Sequence, residues 1–146
     1  MSDPFYYNAT LVRVIDGDTI DVDIDCGFDI VLSNQRIRLY GIDTPESRTR
    51  DPEEKKCGKL ASKFVEDHLG ETFALRTHKD AKGKYGRILG EPLVYDNETD
   101  SVRSLCEMMI ERKLAVAYHG QAKSDIESEH LVNREYLYEQ GLAIRG

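Results

Sequence analysis

The chain has 146 residues, a net charge of −7, and 40% hydrophobic against 32% charged residues, which describes a globular domain with enough apolar material for one core. No apolar run nears the roughly 20 residues of a membrane span, and Met1-Ser2-Asp3-Pro4 lacks the basic start and apolar stretch of a signal peptide. Cys26, Cys57 and Cys106 form no Cys-x-x-Cys pair, which argues against a disulfide framework and for a reducing, cytoplasmic setting.

Residues 1–6 read as a short arm, and Asn8–Ile15 as a first strand. Asp16-Gly17-Asp18 is a turn signal. Thr19–Asp25 alternates strictly, with Ile20, Val22 and Ile24 on one face and Asp21, Asp23 and Asp25 on the other. Cys26-Gly27 turns the chain into a third strand, Phe28–Tyr40, with an irregularity at Ser33-Asn34. Ser47–Lys56 is a polar loop, and Gly58–Leu69 a helix carrying Leu60, Ala61, Phe64, Val65 and Leu69, stopped by Gly70.

Thr72–Thr77 is a fourth strand. Residues 76–87 then hold Arg76, Lys79, Lys82, Lys84 and Arg87 against the single acid Asp80. The acidic net charge opposes nonspecific adhesion to nucleic acid, but a local basic stretch can oppose the average. Ile88–Tyr95 is a fifth strand in which Pro92 marks an edge or bulge. A second helix carries Val102, Leu105, Cys106, Met109 and Ile110 in one stripe, with Asp100 or Ser101 as cap. A third, Asp125–Gln140, has a weaker stripe of Ile126, Leu131, Leu137 and Tyr138 and ends at Gly141. The expected fold is therefore α+β: a five-stranded barrel of the oligonucleotide-binding (OB-fold) type with three α-helices, one domain over 1–146 with a core of about 9–142.

Chemistry gathers around Ile37–Glu46. The alternation puts Asp18 on the inward row at the barrel's rim, and Asp43 ends another strand. Two carboxylates at a rim repel unless a cation joins them, and hard oxygen donors favour Ca²⁺ or Mg²⁺ over zinc. Spacing alone leaves a second reading open, in which Asp16, Asp18 and Asp43 are ordinary turn residues. Asp16-Gly17-Asp18-Thr19-Ile20 begins like an EF-hand loop but has Ile20 at a ligand position, Asp21 where Gly is needed and Gly27 where the final Glu belongs. The row Asp21, Asp23, Asp25 reads as a solvated face rather than a second metal site.

Ile15-Asp16-Gly17-Asp18-Thr19, Arg38-Leu39-Tyr40-Gly41-Ile42-Asp43-Thr44-Pro45-Glu46 and Lys84-Tyr85-Gly86-Arg87, taken together and in this order, resemble the staphylococcal nuclease (thermonuclease) family. Cys57-Gly58-Lys59-Leu60-Ala61-Ser62-Lys63-Phe64 is similar to that family's first helix, and Leu114-Ala115-Val116-Ala117-Tyr118 to the segment after its second. The resemblance implies a Ca²⁺-dependent phosphodiesterase acting on DNA and RNA, with single strands preferred. It implies Asp18, Asp43 and the carbonyl of Thr44 as metal ligands, Arg38 and Arg87 on the scissile phosphate, and Glu46 as general base. Lys84, Tyr85 and Tyr118 would contact the terminal phosphates of a bound nucleotide.

The chain departs from the family at Gly83, often acidic there, at Gly120, often tyrosine, and at Cys57, commonly tyrosine. Its acidity and lack of an export signal differ from the basic secreted members and imply an intracellular bacterial or phage-encoded member, expected to be a monomer. A catalytically silent module that binds single-stranded nucleic acid or another protein, like the nuclease-type repeats that accompany Tudor domains, is the alternative. Such repeats typically lack several of the ligands and arginines present here.

Overall fold

The computed structural model describes residues 6–78, 88–119 and 121–142. Two antiparallel strands, β1 (Tyr6–Asp16) and β2 (Thr19–Asp25), meet at the two-residue turn Gly17-Asp18. A third strand, β3 (Val31–Leu39), pairs antiparallel with β2. On the other flank of β1 lie β5 (Thr72–His78) and then β6 (Ile88–Asp96), each antiparallel to its neighbour. Parallel pairing of Ile37, Arg38 and Leu39 with Ile88, Leu89 and Gly90 joins β3 to β6 and closes a five-stranded barrel, the OB-type α+β architecture expected. Three shorter strands are added: β4 (Ile42–Asp43), β7 (Ser101–Ser104) beside β6, and β8 (Val116–Ala117) paired with β4.

The inward row is the one the alternation selects: Ile20, Val22 and Ile24 from β2 and Ile37 and Leu39 from β3 are buried with Leu75. Closure brings β5 and β3 so near β6 that a Cβ on Gly90 would lie 2.8 Å from Leu75 Cδ1 and 3.2 Å from Ile37 Cγ2. Pro92 faces Leu75 of β5. On its other flank β6 is paired with β3 up to Gly90 and with β7 from Leu93, so the proline occupies the gap between two partners. Helix α1 (Pro52–His68) plugs one end of the barrel with Ala61, Phe64 and Val65. Helices α2 (Leu105–Glu111) and α3 (Lys123–Glu139) follow. Among the described residues no helix is long and apolar enough to cross a membrane.

Several boundaries differ from expectation. The first strand is Tyr6–Asp16 and the third starts at Val31, because Gly27, Phe28 and Asp29 all take positive φ in a tight loop. The irregularity at Ser33-Asn34 is present: Asn34 has φ +53 where the β2–β3 register shifts. Helix α1 begins at Pro52, six residues before Gly58. Asp51 Oδ1 accepts the Glu53 and Glu54 N–H groups at 3.0 and 3.5 Å, and Pro52 needs no partner at the first helical position. The apolar period starts later than this cap, so the loop shrinks to residues 47–51.

Helix α2 begins at Leu105 because residues 101–104 form β7, leaving Val102 66% exposed. The cause is Asp96, which accepts from Glu98 N (3.0 Å), Thr99 Oγ1 (3.3 Å) and Arg103 Nη1 (3.2 Å) and so folds residues 96–104 into a hairpin. Neither Asp100 nor Ser101 is the cap. In α3, Ile126 and Leu137 are buried, but Leu131 is 54% exposed.

The acidic row on β2 is not a solvated face throughout. Asp21 is 2% exposed, because the register places Arg13 and Arg36 opposite it on the two neighbouring strands, at 3.0 and 2.9 Å. Its hydrogen bond from Arg36 holds the carboxyl below the usual carboxylate range despite its burial, and the charges of Arg36 and Arg13 act the same way. Asp23 and Asp25 accept from the backbone N–H groups of Asn34 and Gly27. Each acid therefore has a protein partner. The basic stretch expected at 76–87 lies outside the described residues from Lys79 onward.

Candidate active site

Four segments converge at one rim of the barrel. The β1–β2 turn presents Asp18, the end of β3 presents Arg38, β4 presents Asp43, and the following loop carries Thr44 and Glu46. The Leu39 N–H donates to the Asp18 carbonyl at 2.8 Å, which stitches the turn to β3. Asp18 Oδ1 accepts from Thr19 Oγ1 at 3.0 Å. Arg38 bridges the two carboxylates, with Nη1 3.3 Å from Asp18 Oδ2 and Nη2 3.6 Å from Asp43 Oδ1. Asp18 and Asp43 thus share one guanidinium partner at the rim.

Thr44 is buried, and its N–H points toward Asp18 Oδ2 at 3.5 Å. Glu46 is exposed, but its backbone is held: its N–H donates to Glu54 Oε2 at 3.1 Å, and neighbouring Ser47 donates to Asp16 Oδ1 at 2.5 Å. A cavity of about 1070 Å³ opens over these residues, and Asp18, Arg38, Asp43, Glu46 and Tyr118 all line it. Tyr118 is anchored through its N–H to the Gly41 carbonyl at 2.8 Å. Lys84, Tyr85 and Arg87, expected at the same site, lie outside the described residues.

Two glycines let α1 press these pieces together. A Cβ on Gly58 would stand 2.5 Å from the Glu46 carbonyl carbon and oxygen, and one on Gly17 would stand 2.6 Å from Ala61 Cβ. The middle of α1 therefore sets the position of the Glu46 loop and of the Asp18 turn. Alanine normally stabilises a helix interior over glycine by about 1 kcal/mol. Here the clash is with backbone, and Gly58→Ala is expected to destabilise by about 1–3 kcal/mol instead. A thermal or urea melt measures this, and a rise in stability would contradict the contact.

A Ca²⁺ or Mg²⁺ ion suits the donors present. Among the described residues no three His, Cys, Asp or Glu side chains gather to enclose a metal; the residues that could hold a cation at this rim are Asp18, Asp43 and the Thr44 backbone. Hard oxygen donors in small number fit a cation that keeps waters or takes substrate oxygens, and do not fit a closed zinc site.

Sequence reasoning missed three contributors. His130 of α3 reaches Asp43, with Nε2 2.7 Å from Oδ2, across 87 residues of sequence, and no local signal announces it. Gly58 had a signal, since glycine inside a helical pattern points to a close approach. Asp51-Pro52-Glu53-Glu54, a cap with proline and acids in the first turn, announced the helix start that gives Glu54 to the Glu46 loop.

The profile of the family described as staphylococcal nuclease homologue matches residues 36–142. The thermonuclease of Staphylococcus intermedius is 44% identical over 78 residues, covering 53% of this chain and 43% of that protein. The thermonuclease of Staphylococcus hyicus is 40% identical over 80 residues, 54% of this chain and 44% of that protein. A micrococcal nuclease of Shigella flexneri is 29% identical over 120 residues, 80% of this chain and 62% of that protein. The chain thus matches less than half the length of the two thermonucleases.

Proposed function

This chain belongs to the staphylococcal nuclease homologue family, and from that premise we propose that it is a Ca²⁺-dependent nuclease hydrolysing phosphodiester bonds in DNA and RNA, single strands in preference. The observation that carries the proposal is the convergence of Asp18, Arg38 and Asp43 within 3.3 and 3.6 Å contacts at the mouth of a cavity whose wall also holds Glu46. The unit is one domain with a core of about 9–142, acting as a cytoplasmic monomer.

Asp18, Asp43 and the Thr44 carbonyl would hold the Ca²⁺, which when bound stabilises negative charge building on the phosphate oxygens. Arg38 binds the scissile phosphate with a planar, permanently charged group, and Arg87 supplies the second guanidinium. Glu46 orients the attacking water and takes its proton as the new P–O bond forms. The opposite P–O bond breaks in line, and its electron pair leaves with the departing oxygen. Lys84, Tyr85 and Tyr118 hold the terminal phosphates of the bound nucleotide. A silent binding module is less well supported, because Asp18, Arg38, Asp43 and Glu46 are all present and gathered together.

The direct test is digestion of single- and double-stranded DNA and of RNA by the purified chain. Cleavage is expected with Ca²⁺, faster on single strands, and abolished by excess chelator. Cleavage unaffected by chelator would remove the metal from the proposal, and no cleavage on any substrate with Ca²⁺ would remove the enzyme.

A further inference from the structure

We propose that His130 is a positioning residue for the cation site, fixing the Asp43 carboxylate so that one oxygen serves the helix and the other faces the cation. The inference rests on the reading of Asp43 as a metal ligand given above. His130 Nε2 lies 2.7 Å from Asp43 Oδ2, while Oδ1 of the same carboxylate is directed toward Arg38 at 3.6 Å. The two oxygens are thereby divided between two neighbours.

That division matters because the terminal torsion of an aspartate is broad and roughly two-fold. The Asp43 side chain is one-third exposed and ends a two-residue strand, so its own backbone does little to select an orientation. A donor on Oδ2 from a partner fixed elsewhere does select one. His130 is such a partner: its side chain is only 15% exposed, and its helix is seated by buried Ile126 and Leu137 and by Asn133 Nδ2 donating to the Ala115 carbonyl at 3.4 Å. The delivery is topological. β8 pairs Val116 with Asp43, and the chain continues from β8 through Tyr118 into α3, so the helix returns over the same carboxylate.

The ring's other nitrogen supports the assignment. Among the described residues, His130 Nδ1 is buried without a hydrogen-bond partner. Of the two neutral tautomers, the one with its proton on Nε2 gives Asp43 a donor, whereas the other would bury an unpaired N–H and set two acceptors against each other. Metal-ligating carboxylates are commonly held by such outer partners, and losing one typically weakens metal binding about 10–100-fold.

The test is calorimetric titration of Ca²⁺ into the whole chain, without substrate, for the wild type, His130→Leu and His130→Gln. His130→Leu, of similar bulk without a donor, is expected to bind Ca²⁺ about 10–100-fold more weakly. His130→Gln, which keeps an N–H donor near the Nε2 position, is expected to recover most of the affinity. Equal Ca²⁺ affinity in wild type and His130→Leu would overturn the positioning role alone. Equal weakness in both variants would overturn it too, since packing and not the donor would then be responsible. A wild type without saturable Ca²⁺ binding would sink the cation site itself and this inference with it. If His130→Leu does not fold, two-bond ¹H–¹⁵N spectra of the wild type decide. They should show His130 protonated on Nε2, with that resonance shifting as Ca²⁺ is added, and a resonance indifferent to Ca²⁺ would overturn the proposal.

Discussion

Replacing Glu46 by Gln is expected to lower kcat by about 10²–10⁴-fold, the usual worth of a positioned general base, while KM for a single-stranded oligonucleotide stays within a few-fold. The amide keeps the size of the side chain and can still touch the water, but it cannot take the proton. The fold should not register the change. Glu46 is exposed, and the bonds that hold its loop run through its backbone N–H to Glu54 and from Ser47 to Asp16. Initial-rate kinetics beside a thermal melt check both halves of the prediction. An unchanged kcat would end the role given to Glu46, and a collapsed melt would show that the side chain is structural.

Truncating Leu39 to Ala is expected to cost about 2–5 kcal/mol of stability, the range for buried leucine truncations that leave a cavity. Leu39 is 1% exposed, pairs with Gly90 where the barrel closes, and donates its N–H to the Asp18 carbonyl. It therefore lies between the core and both carboxylate-bearing segments. Because Arg38 precedes it and the Asp18 turn is tied to it, turnover should fall by more than the unfolded fraction accounts for. Urea denaturation gives the first quantity, and kcat measured well below the melting temperature gives the second. A loss under 1 kcal/mol, or activity that tracks only the folded fraction, would show that the strand does not hold the site in register.

Much of this site was legible because its information is local. Strict alternation in Thr19–Asp25 fixes which face is buried, and the same row extended back by two residues predicts an inward Asp18. Arg38, Asp43 and Glu46 lie within nine residues of one another, so any strand ending near Gly41 brings them to one corner. The apolar period located the body of α1 but not its start, since Asp51 and Pro52 define the cap without adding an apolar residue. For α2 the period was misleading. Val102 continues the stripe on paper, yet the hydrogen bonds gathered by Asp96 make residues 101–104 a strand. The acids of β2 show the same limit, because only strand register reveals that Arg13 and Arg36 flank Asp21.

The sequence by itself determined the barrel class and the inward row, and it gathered Arg38, Asp43 and Glu46 in one short stretch. Alternation, turn residues and charge are properties of a few adjacent positions, and they act whatever the rest of the chain does. Tertiary structure alone decided that Arg38 spans Asp18 and Asp43, that Gly58 lets α1 touch the Glu46 backbone, and that His130 returns over Asp43. Those contacts depend on the closure of β3 on β6 and the pairing of β8 with β4. Each sums many weak interactions between distant segments, so no short stretch of the chain encodes it.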